Sequence, residues 1–399
     1  MSLELSKKAL AIKPSSTLAI TDKAKALRAQ GLDVVSFSVG EPDFDTPEHI
    51  RQAAIDAIHQ GYTRYTPAAG LPQLRKAVTE KLRRDNGLEY DWKDIVISNG
   101  GKHALINAFL AILNPGDEVI IPAPYWLSYS EMVRIAGGTP VILRTKKEDG
   151  FMVNWDELEM VATPKTKALI LTSPSNPTGM IYGWEDLESI ARFANLHDIF
   201  IISDEIYEKL IYTGQKHISI ASFGPETKRR TIVVNGLSKS YAMTGWRIGY
   251  TAAPPEVSKV IASLQSHMTS NPNSVAQMAA LAALTGPQDC VEEMRLEFKK
   301  RCEYIYEREE AIPLISAWKP EGAFYLFVDI SKTIGKKYRG ASIGSAADFA
   351  RLLLDYKLVA LIPCEDFGMG DHIRISYACS MEDIKKGMDR LEEFVNELE

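Results

Sequence analysis

Six short apolar runs, at 95–98, 118–122, 140–143, 168–172, 200–204 and 231–235, punctuate the middle of this chain. Between them lie amphipathic stretches at 104–113, 127–136 and 187–197. Runs this short and this rich in Val and Ile read as strands, and the stretches read as helices. A strand, a helix and a further strand form a crossover unit, which places the two strands in parallel. The expected fold class is therefore α/β, with a mostly parallel central sheet and helices on both faces. No Walker A motif and no G-x-G-x-x-G occurs, which argues against nucleotide and dinucleotide folds.

After Gly286-Pro287 the pattern changes. A charged helix over 291–310 leads to Gly322-Ala-Phe-Tyr-Leu-Phe-Val-Asp329, an apolar strand, and then to further helix and strand patterns. The division expected is a large domain over 46–286, with 1–45 and 287–399 forming a smaller α+β domain. The 399 residues are enough for both.

Charge and cysteine use narrow the function classes. A net charge of -6 gives no reason to bind nucleic acid or an anionic membrane. Cys290, Cys302, Cys364 and Cys379 form no C-x-x-C and share no spacing with histidines. Neither a disulfide framework nor a metal site is expected, and a reducing cytoplasm fits. Lys7-Lys8 precede only Ala-Leu-Ala-Ile, too short for a secretory signal, and no apolar run reaches membrane-spanning length.

In open α/β sheets, ligands bind at the carboxyl ends of the strands. Here those ends carry distinctive residues. The run 231–235 is followed by Ser238-Lys239-Ser240, and eight residues later by Arg247 in Thr-Gly-Trp-Arg-Ile-Gly. A lysine amine condenses with a carbonyl. An arginine close by forks onto a phosphate, and small neighbours let backbone N–H groups approach it. A lysine with a phosphate clamp is what pyridoxal 5′-phosphate requires. Most lysines are merely solvated, so the reading depends on the company Lys239 keeps.

That company recurs along the chain. Gly100-Gly101-Lys102 lies between a strand and a helix, a cradle for an anion or a plain turn. Ser173-Pro174-Ser175-Asn176-Pro177-Thr178-Gly179 fixes a loop that presents Asn176. Asp204 ends the run 200–204, with Tyr207 three residues on. A carboxylate there pairs with a pyridinium nitrogen, although a helix cap is its commoner use. Trp126 follows a strand end and offers a face on which a flat ring stacks. Tyr65 lies in a loop bounded by Pro67 and Gly70. Arg374 sits in an alternating strand pattern, where an arginine usually faces solvent.

Taken together, these segments resemble the class I aminotransferases of the aspartate aminotransferase family, which belong to the fold-type-I pyridoxal phosphate enzymes. The resemblance runs from Lys13-Pro14-Ser15 and Gly40-Glu41-Pro42-Asp43-Phe44 to Arg374-Ile-Ser-Tyr377. It implies that Lys239 holds the cofactor and moves the proton between substrate Cα and cofactor C4′. It implies Asp204 on the pyridine nitrogen, Tyr207 and Asn176 on the 3′-oxygen, and Trp126 stacked on the ring. Gly100, Gly101, Lys102, Ser238 and Arg247 would surround the phosphate. Tyr65 would reach the phosphate of the neighbouring subunit in a homodimer. Arg374 would fork onto the substrate α-carboxylate, with Gly40 nearby.

One departure bears on specificity. The best-known members bind the distal carboxylate with an arginine just before a Ser-Asn-Pro segment. Here that stretch is Gln265-Ser-His-Met-Thr-Ser270-Asn-Pro272, without arginine. A bacterial subgroup resembles this chain and uses the lysine after Gly-Gly, here Lys102. The expected activity is transfer of the amino group of aspartate or glutamate to a 2-oxo acid such as 2-oxoglutarate, with prephenate a further acceptor. Other outcomes on the same fold are aromatic or alanine amino transfer, a β-lyase and a cyclopropane-forming synthase. A cofactor-binding regulatory module is disfavoured, because no basic N-terminal helix-turn-helix is evident.

Overall fold

A computed structural model describes residues 4–14 and 16–399; Ser15 of the Lys13-Pro14-Ser15 motif lies outside the described residues. All six expected strands are present: β1 (Ile95–Ser98), β2 (Glu118–Ala123), β3 (Thr139–Arg144), β4 (Thr166–Thr172), β5 (Phe200–Asp204) and β6 (Thr231–Gly236). A further strand, β7 (Gly249–Ala252), was not foreseen. Its residues, Gly-Tyr-Thr-Ala, carry no Val or Ile run that would mark a buried strand. The sheet order is β1-β7-β6-β5-β4-β2-β3. β7 is antiparallel to both of its neighbours, and every other pairing is parallel.

Because β1 and β6 are both antiparallel to β7, they run in the same direction. All the parallel strands therefore end on one edge. Helices cover both faces, so the inner strands are buried on both faces rather than on alternate residues; β1 and β6 are buried at every position, while the edge strand β3 is partly exposed. That is why continuous apolar runs marked the strands in the sequence.

The helices that concern the site are α1 (Ser16–Ala29), α2 (Pro72–Asn86), α3 (Gly101–Ile112), α4 (Ser128–Ile135), α5 (Trp184–Leu196) and α6 (Asp289–Glu310). α3 begins three residues before its apolar pattern. Gly100, at φ 86°, turns the chain directly from β1 into it.

Beyond α6 lies a four-stranded antiparallel sheet whose inner strands are β8 (Tyr325–Asp329) and β9 (His372–Ser376). Val35–Ser36 pairs in parallel with Val359–Ala360, so the N-terminal segment joins the C-terminal part. The apolar core of this part takes in Val35 and Phe37 and also Tyr207, Leu210 and Tyr212. Packing from the C-terminal part thus reaches the turn that follows β5.

Candidate active site

The sheet edge where β1, β4, β5 and β6 end opens into a cavity of about 350 Å³. Gly40, Gly101, Lys102, Trp126, Asn176, Asp204, Tyr207, Ser238, Lys239, Arg247 and Arg374 all line it. They come from segments spread over more than 330 residues of sequence and meet because the strand ends and β9 converge. Two expected residues are elsewhere. Gly100 caps α3 behind the wall. Tyr65 does not line the cavity of its own chain and is 89% exposed.

Lys239 follows β6 by three residues, and its Nζ donates to the Gly40 carbonyl at 2.6 Å. Burial pulls this amine down to about 8; Glu41 opposes the shift, and Arg374 and Arg247 add to it. A lysine tuned this way has an appreciable neutral fraction near pH 7, the form that attacks a carbonyl.

Asp204 ends β5 and is 5% exposed. Its Oδ2 accepts from the Tyr129 hydroxyl at 2.6 Å, and its Oδ1 accepts from the Ile206 N–H at 3.3 Å. Burial pushes the carboxyl up to about 6, while the Tyr129 hydrogen bond pulls the other way. Tyr207 pairs its hydroxyl with that of Tyr325 at 2.9 Å. Burial holds the Tyr207 phenol well above its usual range, so it stays protonated.

Arg374 overturns the usual solvent-facing expectation for a strand arginine: it is 2% exposed. Its Nη1 donates to Asn176 Oδ1 at 3.0 Å and its Nη2 to the Ser38 carbonyl at 3.1 Å. The guanidinium lies 4.5 Å from the Tyr325 ring centre. Among the described residues its buried Nε has no hydrogen-bond partner. Lys102 Nζ, also lining the cavity, lies 4.6 Å from the Trp126 ring centre. Arg247 takes φ 56° and donates Nη1 to the Thr244 carbonyl at 2.9 Å. Gly100, at φ 86°, sits where a side chain is disfavoured, and a Cβ there would displace the Arg247 guanidinium.

Sequence reasoning missed other lining residues, among them Tyr129, Tyr325 and Glu41. Tyr325 stands in the foreseen strand that pairs with the Arg374 strand, the one signal that could have found it. Gly40 approaches it so closely that a Cβ would lie 2.6 Å from the Tyr325 hydroxyl. Glu41 accepts from Thr244 Oγ1 at 2.8 Å.

Glu205 and Glu208 share the Asp204–Tyr207 turn but point away from the cavity. Ser203 and Ser219 donate to Glu205, Asn86 donates to Glu208, and the Lys81 ammonium on α2 pairs with Glu208. His217 adds a nitrogen 3.1 Å from Glu205. This buried network braces the turn from behind, and Lys81 already supplies it with a cation.

Residues 32–391 match the family described as aminotransferase class I and II. An aspartate aminotransferase from Bacillus sp. (strain YM-2) is 50% identical, covering 96% of each chain. An aspartate/prephenate aminotransferase from Thermus thermophilus is 46% identical over 97% of each. The crystal structure of the aspartate aminotransferase from Rhizobium meliloti superposes with a TM-score of 0.96 at 40% identity, covering 100% of both chains. A lysine of lowered basicity at a strand end, facing a buried carboxylate across one cavity, is what such a family needs. The chain belongs to the class I and II aminotransferases, and it is an aminotransferase that works with pyridoxal 5′-phosphate.

Proposed function

We propose that this chain moves the amino group of aspartate or glutamate to a 2-oxo acid such as 2-oxoglutarate, by a ping-pong mechanism. The observation that carries this reading is the pair of cations, Arg374 and Lys102, lining the same cavity as Lys239. A dicarboxylic substrate needs one cation at each end and the reactive amine between them. Prephenate, itself a dicarboxylic 2-oxo acid, fits the same pair, and the Thermus thermophilus relative carries it in its name.

The residues fit the cofactor. Ser238 and Arg247 sit with the Gly100-Gly101 turn at the start of α3, where free N–H groups and the helix dipole favour a phosphate. The cavity also holds an amine of lowered basicity and a buried carboxylate. When bound, pyridoxal 5′-phosphate supplies an electron sink conjugated to the substrate Cα. Lys239 would hold it covalently and would carry the proton between substrate Cα and C4′. Asp204 would keep the pyridine nitrogen protonated. Tyr207 and Asn176 would hold the 3′-oxygen, and Trp126 would offer its face to the ring. Arg374 would orient the α-carboxylate, with its Nε an N–H that no group among the described residues claims.

Lys102→Ala tests the substrate reading. kcat/KM for aspartate is expected to fall by roughly 2–4 kcal/mol of transition-state binding, the range for losing a buried charge partner. Alanine and aromatic amino acids are expected to lose little. Equal losses across a donor panel, with weaker cofactor binding, would assign Lys102 to the phosphate instead.

The exposed Tyr65 supports a homodimer in which the partner subunit's Tyr65 completes each phosphate site. Mixing Lys239→Ala protomers with Tyr65→Ala protomers is expected to restore activity in the hybrid. One of its sites then has both groups intact. A hybrid as inactive as its parents would place Tyr65 in the site of its own chain, and an active monomer by light scattering would remove the dimer. The division into domains at 46–286 and 1–45 with 287–399, and a cytoplasmic location, belong to the same proposal. All four cysteines are free, and among the described residues no helix is long and apolar enough to cross a membrane.

A further inference from the structure

We propose that Tyr129, backed by Thr172, is a positioning residue that keeps Asp204 ionised and turned toward the cofactor nitrogen. The inference deepens the reading of the site just given and rests on Asp204 as the partner of that nitrogen.

The argument starts from the strand register. Thr172 ends β4 and Asp204 ends β5, and the two are directly paired across the parallel ladder. Tyr129, on the first turn of α4, reaches both. Its hydroxyl donates to Asp204 Oδ2 at 2.6 Å and lies 2.6 Å from Thr172 Oγ1. A phenol has one proton to give. Since that proton goes to Asp204, the Thr172 hydroxyl must be the donor to Tyr129. The result is a directed relay, Thr172 to Tyr129 to Asp204, in which each donor strengthens the next.

The relay has few substitutes. Among the described residues, the other donor to the carboxylate is the Ile206 N–H, at 3.3 Å on Oδ1. Glu205 and Tyr207 on its own turn and Lys239 after β6 also act on Asp204, and Arg374 on β9 and Tyr325 on β8 act on the Tyr207 and Tyr129 phenols beside it. Glu205 opposes the negative charge, and none of the others hydrogen-bonds to it. With Oδ2 committed to Tyr129, Oδ1 is the oxygen left with a single long hydrogen bond. Burial keeps the Tyr129 phenol far above its usual range, so it remains a donor throughout the working pH. Tyr129 also meets Trp126 edge-on, with ring centres 5.4 Å apart, so one side chain touches both the stacking indole and the carboxylate.

A carboxylate that loses its best donor gains proton affinity. The proton shared between Asp204 and the ring nitrogen then moves toward Asp204, and the ring loses its positive charge. Tyr129→Phe removes only the hydroxyl and keeps the ring against Trp126. The test loads holoenzyme with pyridoxal 5′-phosphate labelled with ¹⁵N in the ring and reads the nitrogen chemical shift, together with kcat and KM. In Tyr129→Phe the signal is expected to move toward neutral pyridine, with kcat down about tenfold, as for losing one charge-assisted hydrogen bond. KM should change little. Thr172→Val should move the signal less in the same direction, and should add nothing in the Tyr129→Phe background. Should Tyr129→Phe fail to fold, Thr172→Val carries the test alone. Asp204→Asn separates the two levels. If it leaves the signal unmoved, the Asp204 assignment fails and the proposal with it. If Asp204→Asn moves the signal and the Tyr129 and Thr172 variants do not, the relay alone is overturned, even where activity falls.

Discussion

Lys239→Ala is expected to fold, to bind pyridoxal 5′-phosphate weakly, and to lose amino transfer by about four orders of magnitude, the upper range for removing a general base. Two functions disappear with one amine. The first is covalent attachment: Lys239 stands at the carboxyl end of β6, and its Nζ reaches Gly40 on the opposite wall at 2.6 Å. The second is proton transfer, which needs an amine able to give up its proton near neutral pH. Burial brings Lys239 to about 8 and meets that need. Borohydride treatment of the loaded wild type should fix the cofactor to the peptide containing Lys239, and to no other lysine. Label on another lysine would remove the central assignment. Turnover of the variant above about one per cent of wild type would leave attachment intact and take the proton-carrier role away from Lys239.

The large sheet was legible because both its faces are covered. Burial on two sides demands continuous Val and Ile runs, and those runs survive in the sequence as strands of nearly the right length. Ligand placement at strand ends followed from the same reading, which is how Asp204 and Lys239 were found. Features that depend on contacts distant in sequence were not legible. The alternation His372-Ile-Arg-Ile-Ser suggests one wet face, yet β9 is buried at every position, and Arg374 faces Asn176 and Ser38 instead of solvent. Tyr129 reads as an ordinary aromatic on an amphipathic helix. Nothing local says that its hydroxyl meets a carboxylate 75 residues further on. β7 is set by its two neighbours and carries no Val or Ile run to declare itself. The role expected of Tyr65 comes from the resemblance, not from its loop, and a single chain leaves it exposed.

Asp204→Asn is expected to lower turnover by about a thousandfold, in the range for losing a charge aimed at the reacting system, while making the cofactor-free protein more stable above pH 6. The two effects share one cause. Asp204 is buried, and its carboxyl is raised from the usual 3.8 to about 6. Below the unfolded value both states are protonated, and Asp204 makes no difference to stability. Between about 4 and 6 the unfolded chain ionises freely and the folded chain does not. Folding therefore loses stability as pH rises through this window, and the loss is complete above the folded value. Asparagine does not ionise, so it escapes the loss. Chemical denaturation of the cofactor-free proteins at pH 7.5 should show the variant more stable by about 3 kcal/mol, the order set by a shift of two pKa units. The difference should vanish near pH 4. If Asp204 only caps its turn, asparagine caps equally well and neither rate nor stability should move. A rate loss without the pH-dependent gain would mean that Asp204 carries no burial cost in the empty site, and would separate its chemical role from the strain attributed to it.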